Sequence, residues 1–226
     1  MTTPENLPRF FEYAIHTLYA VVIGLGFEVS NSIVIPIEKI PEHWNNALVL
    51  FLGYSLLVSS WIGYYLSIRK HSHKGKLGFF RFIIDIFVVY IFYYLIYLSK
   101  VALDPNNRQY LDDVFLILPL IYGVYLVWDI IKYYEHKKKS QSKIERTDKI
   151  SRIGITIDYL LIFVIISIFY YAIPVSDHLE IKQSIFVIAA IIFIMKYRYA
   201  KWTSSNTSNQ STNRKAKRKN EKNTLE

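Results

Sequence analysis

The chain of 226 residues predicts an all-α integral membrane protein with six transmembrane helices. Three observations carry this prediction: an apolar fraction of 52%, the gathering of apolar residues into blocks of similar length, and the alternation of positive charge between those blocks. A helix needs about 20 apolar residues to cross a hydrocarbon core of about 30 Å. Six helices that are apolar on every face would leave a soluble bundle without a polar surface, so we prefer the membrane interpretation.

The apolar blocks define the predicted domain organisation. They lie at about residues 12–27, 46–67, 78–99, 113–133, 153–174 and 183–200. The first block is followed by FEVSNS instead of a small-residue cleavage site, so we expect this helix to stay in the mature protein. Residues 1–201 are predicted to form the membrane domain, and the polar, basic residues 202–226 a disordered cytoplasmic tail.

Positive charge alternates between the segments that connect these blocks. Taken alternately, the connecting segments together with the adjoining block ends carry 23 lysines and arginines on one side and 4 on the other. The positive-inside rule assigns the more basic side to the cytoplasm. Both termini are therefore predicted to be cytoplasmic, in a cell (inner) membrane. Aromatic residues near the ends of the second and fourth blocks are interpreted as membrane-interface anchors; they are Trp61, Tyr64, Tyr65, Tyr133 and Tyr134.

A cluster of charged residues is predicted in the inner leaflet, at similar depth below the cytoplasmic face. Its members are Arg9, Glu12, Arg81, Asp85, Asp129 and Asp158. A charge near the bilayer centre costs at least about 2.5 kcal/mol, so these side chains are expected to face protein or water instead of lipid. Two interpretations stay open: ion pairs and hydrogen bonds that fix helix packing, or a cytoplasmic vestibule that handles protons or cations.

The first helix carries a stripe of residues at helical spacing. His16, Ala20, Ile23 and Phe27 lie on one face, and Gly24 with Gly26 would allow close approach of a neighbouring helix. This stripe is compatible with a pore constriction if several copies surround an axis, and equally with an ordinary helix–helix contact. His16 could sense pH, although a single histidine within a helix is more often a hydrogen-bonded packing residue.

The sequence gives no indication of an enzyme. It contains no cysteine and none of the HExxH, GxSxG, Walker or dinucleotide-binding motifs. The pair His71 and His73 in KHSHKGK is interpreted as part of a solvated basic loop instead of a metal site. We therefore predict neither a catalytic residue, a cofactor nor a metal.

The first span shows a resemblance to a known family. RFFEYAIHTLYAVV, with Arg9 before the span and Tyr13 four residues later, resembles the six-span prokaryotic and lysosomal potassium-channel family, whose first helix begins R-x-x-x-F-S-D. Ala14 and Ile15 stand where that family has serine and aspartate, and Trp61 in WIGY loosely matches the end of its second helix. The resemblance implies cytoplasmic termini, a homo-oligomer and a pore lined by the first helix.

Two functions follow as hypotheses. The first is an oligomeric ion channel, for cations or linked to protons, with the first helix lining the pore. The alternative is a non-conducting membrane scaffold or sensor that recruits a cytoplasmic protein partner, in a stress or antiviral response. The basic tail with RKAKRK is expected to bind anionic lipid headgroups of the bilayer, at about 1 kcal/mol per basic side chain, and no nucleic acid is expected.

Overall fold

The structure is a computed structural model and describes residues 7–35, 37–70, 75–137, 143–174 and 179–223. Within these ranges the chain forms six α-helices and two 3-10 helices, and no strand. The α-helices are α1 Leu7–Val34, α2 Trp44–Lys70, α3 Gly75–Val101, α4 Val114–Lys137, α5 Lys143–Ala172 and α6 Leu179–Asn223. The 3-10 helices are Ile37–Lys39 and Pro105–Asp113. The histidine pair at 71 and 73 lies outside the described residues.

Five helices are long and apolar enough to cross a membrane. Their candidate spans are Arg9–Val34, Trp44–Tyr65, Leu77–Val101, Asn106–Tyr134 and Ile150–Ala172. The prediction of an all-helical protein is thus confirmed for the described residues, and these five segments have the length and composition that a multi-pass membrane protein requires. The helix α6 is not among them; its uncharged stretch runs from Gln183 to Met195. The sixth span and the side of the termini stay predictions.

The last helix continues past the predicted domain boundary at residue 201. Residues 202–223 extend α6 without interruption, where the sequence predicts a disordered tail. This stretch contains neither glycine nor proline, so no residue with a strong tendency to end a helix follows the apolar part of α6. The division between membrane domain and tail therefore does not coincide with a helix end.

Five of the helices form a closed ring. The helices α2, α3, α4, α5 and α6 pack against one another in chain order, and α6 packs back against α2. Helix α1 packs against both α2 and α3, outside this ring. We call the end of the bundle that holds the C-terminal halves of α2, α4 and α6 the basic end, because the more basic connecting segments lie there.

The interior changes character along the ring axis. Away from the basic end, large apolar side chains fill it, and the rings of Phe115 and Tyr170 stack with centroids 3.9 Å apart. Nearer the basic end, α2 contributes the small polar side chains Ser59, Ser60 and Ser67. Because these side chains are too short to fill the ring, a cavity remains at this end.

Candidate functional site

The most prominent feature of the ring is a cavity at the basic end, with a volume of about 510 Å³. We call it the basic cavity. All six helices contribute to its lining, with α1 supplying Tyr19 alone. Its charged lining residues are Asp85, Asp129, Lys132, Arg152, Arg198 and Lys201, and its aromatic ones are Tyr19, Tyr64, Tyr125, Trp128, Tyr197 and Trp202. Ligand pockets in proteins commonly measure about 300–1,000 Å³, so the space suits a small organic molecule.

Hydroxyl groups form one wall of the basic cavity. The hydroxyl of Tyr19 donates to Ser60 Oγ at 3.2 Å, and that of Tyr125 donates to the same oxygen at 3.1 Å. Arg198 Nη2 in turn donates to the Tyr125 hydroxyl at 2.8 Å. Helices α1, α2, α4 and α6 are therefore joined through one chain of hydrogen bonds around Ser60.

Asp129 holds three helices together. Its carboxylate lies on α4 and accepts from Thr156 Oγ1 of α5 at 2.6 Å and from Lys201 Nζ of α6 at 2.5 Å. Lys201 also donates to the backbone carbonyl of Arg152 at 2.8 Å. The side chains of Asp129 and Lys201 are only 9% and 10% exposed, so this ion pair is largely removed from water.

Lys201 lies on α6, just after the apolar part of that helix. Burial lowers the pKa of its ammonium group to about 8, and the neighbouring Arg152 and Arg198 act in the same direction. The carboxylate of Asp129 opposes this shift without cancelling it. Lys201 is therefore charged at neutral pH and close to its titration range.

Trp128 lies between two basic side chains. The guanidinium of Arg81 lies 5.0 Å from the ring centroid and the ammonium of Lys132 lies 4.8 Å from it. Lys132 also donates to Ser67 Oγ at 2.7 Å. Arg81 is completely buried, as expected for a charged residue that faces protein instead of lipid. The positive charge of α3 thus reaches the wall of the basic cavity.

Three nitrogen donors of the cavity lining are buried without a hydrogen-bond partner in the described part of the chain. They are Trp128 Nε1, Arg152 Nε and Arg198 Nε. Each belongs to a different helix, and each can donate but not accept. Buried polar groups in folded proteins are almost always paired, with protein, water or a ligand. The basic cavity therefore offers more donors than its own acceptors satisfy.

The opposite end of the ring is closed by a second polar group, the Asp112 cluster, formed by Asn45, Asp112, Tyr170 and Gln183. The Asp112 carboxylate accepts hydrogen bonds from the Tyr170 hydroxyl and, at 2.9 Å, from Gln183 Nε2. Asn45 Nδ2 donates to Gln183 Oε1 at 3.1 Å. These contacts connect α2, α5 and α6 with the end of the 3-10 helix Pro105–Asp113, so the ring has one open end and one closed end.

The structure brings together some members of the predicted inner-leaflet cluster. Asp85 and Asp129 line the basic cavity, and Arg81 packs on its Trp128. Asp158 is exposed on α5 and is not part of the lining. Arg9 is likewise exposed and outside the cavity, near the start of α1.

Glu12 and His16 form a separate group on α1. His16 Nε2 lies 3.9 Å from Glu12 Oε1, and His16 Nδ1 accepts a hydrogen bond from Trp61 Nε1 of α2 at 3.0 Å. This bond assigns the remaining proton of the neutral imidazole to Nε2, facing Glu12. Both ring nitrogens therefore have neighbours within the same chain, which favours the packing interpretation of His16.

The predicted stripe on α1 lies beside the packed face of that helix. Ala20 and Phe27 are exposed, whereas His16 and Ile23 are half-buried. The fully packed positions are their neighbours, such as Ile15, which is 0% exposed. The stripe is thus available to a second copy of the chain or to lipid.

The basic side chains of the cavity were not identified as site residues from the sequence. In the sequence these side chains contribute only to the positive charge that predicts the orientation in the membrane; they are Lys132, Arg152, Arg198 and Lys201. Tyr64, which the sequence predicts to be an interface anchor, is buried. A usable signal exists in helical spacing. Residues 125, 128, 129 and 132 of α4 share one face, as do 197, 198 and 201 of α6, and both faces combine aromatic with charged residues.

Comparison with known proteins assigns no family: no family model, no curated protein and no solved structure matches the chain. No group of three or more histidine, aspartate or glutamate side chains that could hold a metal ion occurs within the described residues. The chemistry of the basic cavity is therefore interpreted from its own geometry.

Proposed function

We propose that the protein is a ligand-binding membrane sensor. A solute enters the basic cavity from the predicted cytoplasmic side, and α6 transmits its presence to the segment beyond the membrane. The observation that carries this proposal is the position of α6: Tyr197, Arg198, Lys201 and Trp202 line the cavity, and the same helix then continues to Asn223. A ligand that contacts these residues would bias the position of a helix that extends to a cytoplasmic partner.

The shape of the ring supports a binding site instead of a through-path within one chain. The Asp112 cluster and the apolar interior close the end opposite the basic cavity. A solute that enters the cavity can therefore only leave by the same opening. Such one-sided access suits a sensor, whereas a conduit would need a second opening.

Cysteine labelling tests the proposed access directly, because the chain has no cysteine of its own. Ser59→Cys would place a thiol in the cavity lining, and Ser32→Cys would place one on an exposed position near the other end of α1. We expect a membrane-impermeant thiol reagent to modify Ser59→Cys only from the cytoplasmic side of sealed vesicles, and Ser32→Cys only from the opposite side. Modification of Ser59→Cys from neither side, or from the opposite side alone, would overturn the proposal.

An oligomeric ion channel, for cations or linked to protons, is the second candidate. It is favoured by the position of α1 outside the closed ring, where the stripe with Ala20 and Phe27 is accessible to other copies of the chain. Here the pore would lie on a symmetry axis between subunits, as the resemblance of the first span implies. Ion flux into liposomes that is abolished by Ile23→Asn and unaffected by removal of residues 202–226 would favour the channel over the sensor.

A further inference from the structure

The geometry points to a phosphate-bearing anion as the ligand of the basic cavity, held by Arg152 and Arg198 with Trp128 Nε1 as an additional donor. This inference rests on the sensor function proposed above and specifies its ligand. It follows from the unbalanced charge of the cavity, from its unsatisfied donors and from its aromatic walls.

The lining of the cavity carries an excess of positive charge. Four basic and two acidic side chains line the cavity, which leaves a formal charge of +2 before the buried Arg81 is counted. Asp129 is already engaged by Lys201 and Thr156, so it is poorly placed to neutralise further cations. An unbalanced charge inside a membrane bundle is unfavourable, and a bound anion would compensate it.

The unsatisfied nitrogen atoms of the lining are all hydrogen-bond donors. No side-chain hydrogen bond or ion pair of Arg152 is found in the described ranges, and Arg198 uses Nη2 toward Tyr125 while its Nε has no partner. Together with Trp128 Nε1 these are donors from α4, α5 and α6. A phosphate has several acceptor oxygens in a tetrahedral arrangement, and arginine binds such oxygens with paired N–H groups. A single phosphate group can therefore meet donors that approach from separate helices.

The cavity is larger than a phosphate group alone. A phosphate group fills only a small part of 510 Å³, and the rest of the lining includes the rings of Tyr19, Tyr64 and Tyr197. Trp202 and Ile62 belong to the lining and are 59% and 53% exposed, so the cavity lining extends to the surface of the bundle. A ligand with an organic portion next to its phosphate would contact these rings. A soluble nucleotide and an anionic lipid headgroup both have this chemistry.

The test is a binding titration of the purified full-length chain in nanodiscs of phosphatidylcholine, with inorganic pyrophosphate and ATP as soluble probes. Nanodiscs that contain a phosphoinositide provide the lipid arm. Tryptophan fluorescence reports binding because Trp128 and Trp202 line the cavity. We expect a saturable change with at least one of these probes, and the probe that binds most tightly identifies a soluble or a lipid source.

Matched variants separate a built site from general attraction of anions to a basic protein. Arg198→Gln and Arg152→Gln should each weaken binding by about tenfold or more, as expected for loss of a charge-assisted contact. Lys100→Gln removes an equal charge at an exposed position far from the cavity lining and should change the affinity less than twofold. Arg152→Gln is the safer variant if Arg198→Gln fails to fold, because the Arg152 side chain has no described hydrogen bond to lose.

Two results would overturn the phosphate assignment: no saturable binding of any probe, or equal weakening by Lys100→Gln and the cavity variants. Either result leaves the sensor function intact if Ser59→Cys is still labelled from the cytoplasmic side alone. If the thiol reagent modifies Ser59→Cys from neither side, the proposed sensor function is contradicted as well. The two proposals can therefore fail separately.

Discussion

Replacement of Asp129 by asparagine should destabilise the bundle more than any comparable loss of charge at its surface. The substitution keeps an oxygen that can accept from Thr156 Oγ1, but it removes the charge that pairs with Lys201. Lys201 would then hold an ammonium group that is 10% exposed without its counter-charge. Breaking a buried ion pair from one side typically costs about 3–5 kcal/mol. We expect the lower limit of this range, since the pair borders a cavity that water can enter.

The assay is thermal unfolding of the purified chain in an uncharged detergent. For a chain of this length about 1 kcal/mol corresponds to roughly 2–4 °C in Tm, so the Asp129→Asn variant should unfold about 6–12 °C below the parent. The control is Glu28→Gln, which breaks the pair of Glu28 and Lys100 at 3.4 Å between side chains that are 72% and 42% exposed. An exposed pair of this kind contributes about 0–1 kcal/mol.

A second substitution separates the ion pair from other effects at this position. Lys201→Met in the Asp129→Asn background should restore part of the lost stability, because no uncompensated charge then remains buried. The reasoning is refuted if Asp129→Asn lowers Tm no more than Glu28→Gln does. It is refuted equally if Lys201→Met makes the double variant less stable than Asp129→Asn alone.

Three further outcomes are expected. A Cβ at Gly26 would lie 2.5 Å from the Tyr54 hydroxyl, whereas one at Gly24 would meet nothing within 4 Å. Gly26→Ala should therefore lower the free energy of unfolding by about 1–3 kcal/mol while Gly24→Ala does not, in the same thermal assay. Because burial lowers the pKa of Lys201 to about 8, the positive charge of Lys201 is present below that pH and is lost above it. Pyrophosphate affinity should decrease as pH rises through 8, and Lys201→Arg should hold it constant to higher pH; an unchanged profile in the parent would contradict this. Asp112→Ala should destabilise the closed end of the ring by about 1–3 kcal/mol in the same thermal assay, because it leaves Gln183 and Tyr170 without their shared acceptor, and a shift no larger than that of Glu28→Gln would contradict this.

The long apolar helices were predictable from the sequence because hydrophobicity and length are quantities that add along the chain. The apolar blocks give five candidate spans close to the predicted ones, since hydrophobic length alone decides whether a helix can cross a bilayer. The end of α6 was not predictable in the same way. Its polar part carries no helix-breaking residue, and composition by itself does not decide between a helix and a disordered tail.

The cavity was less predictable because it depends on which helices are neighbours. Asp85 and Asp129 were recognised as unusual since an acid within an apolar block is conspicuous. Arg152 and Arg198 were not, because each lies at a block end where lysine and arginine are expected on topological grounds. Only the closure of the ring by α6 against α2 directs these side chains toward one space. Asp158 was also conspicuous in the sequence, but it is exposed. A similar predicted depth therefore does not mean that a side chain faces the interior of the ring.

The measurement that tests this account most directly is a side-chain-resolution map of the full-length chain in a nanodisc with pyrophosphate added. We expect density for the anion inside the ring, in contact with Arg152 and Arg198, whatever the number of copies in the particle. A basic cavity that is filled by acyl chains or collapsed onto its own side chains would contradict it. A pore on a symmetry axis lined by Ile23 and Phe27, with no anion in the ring, would contradict it in favour of the channel.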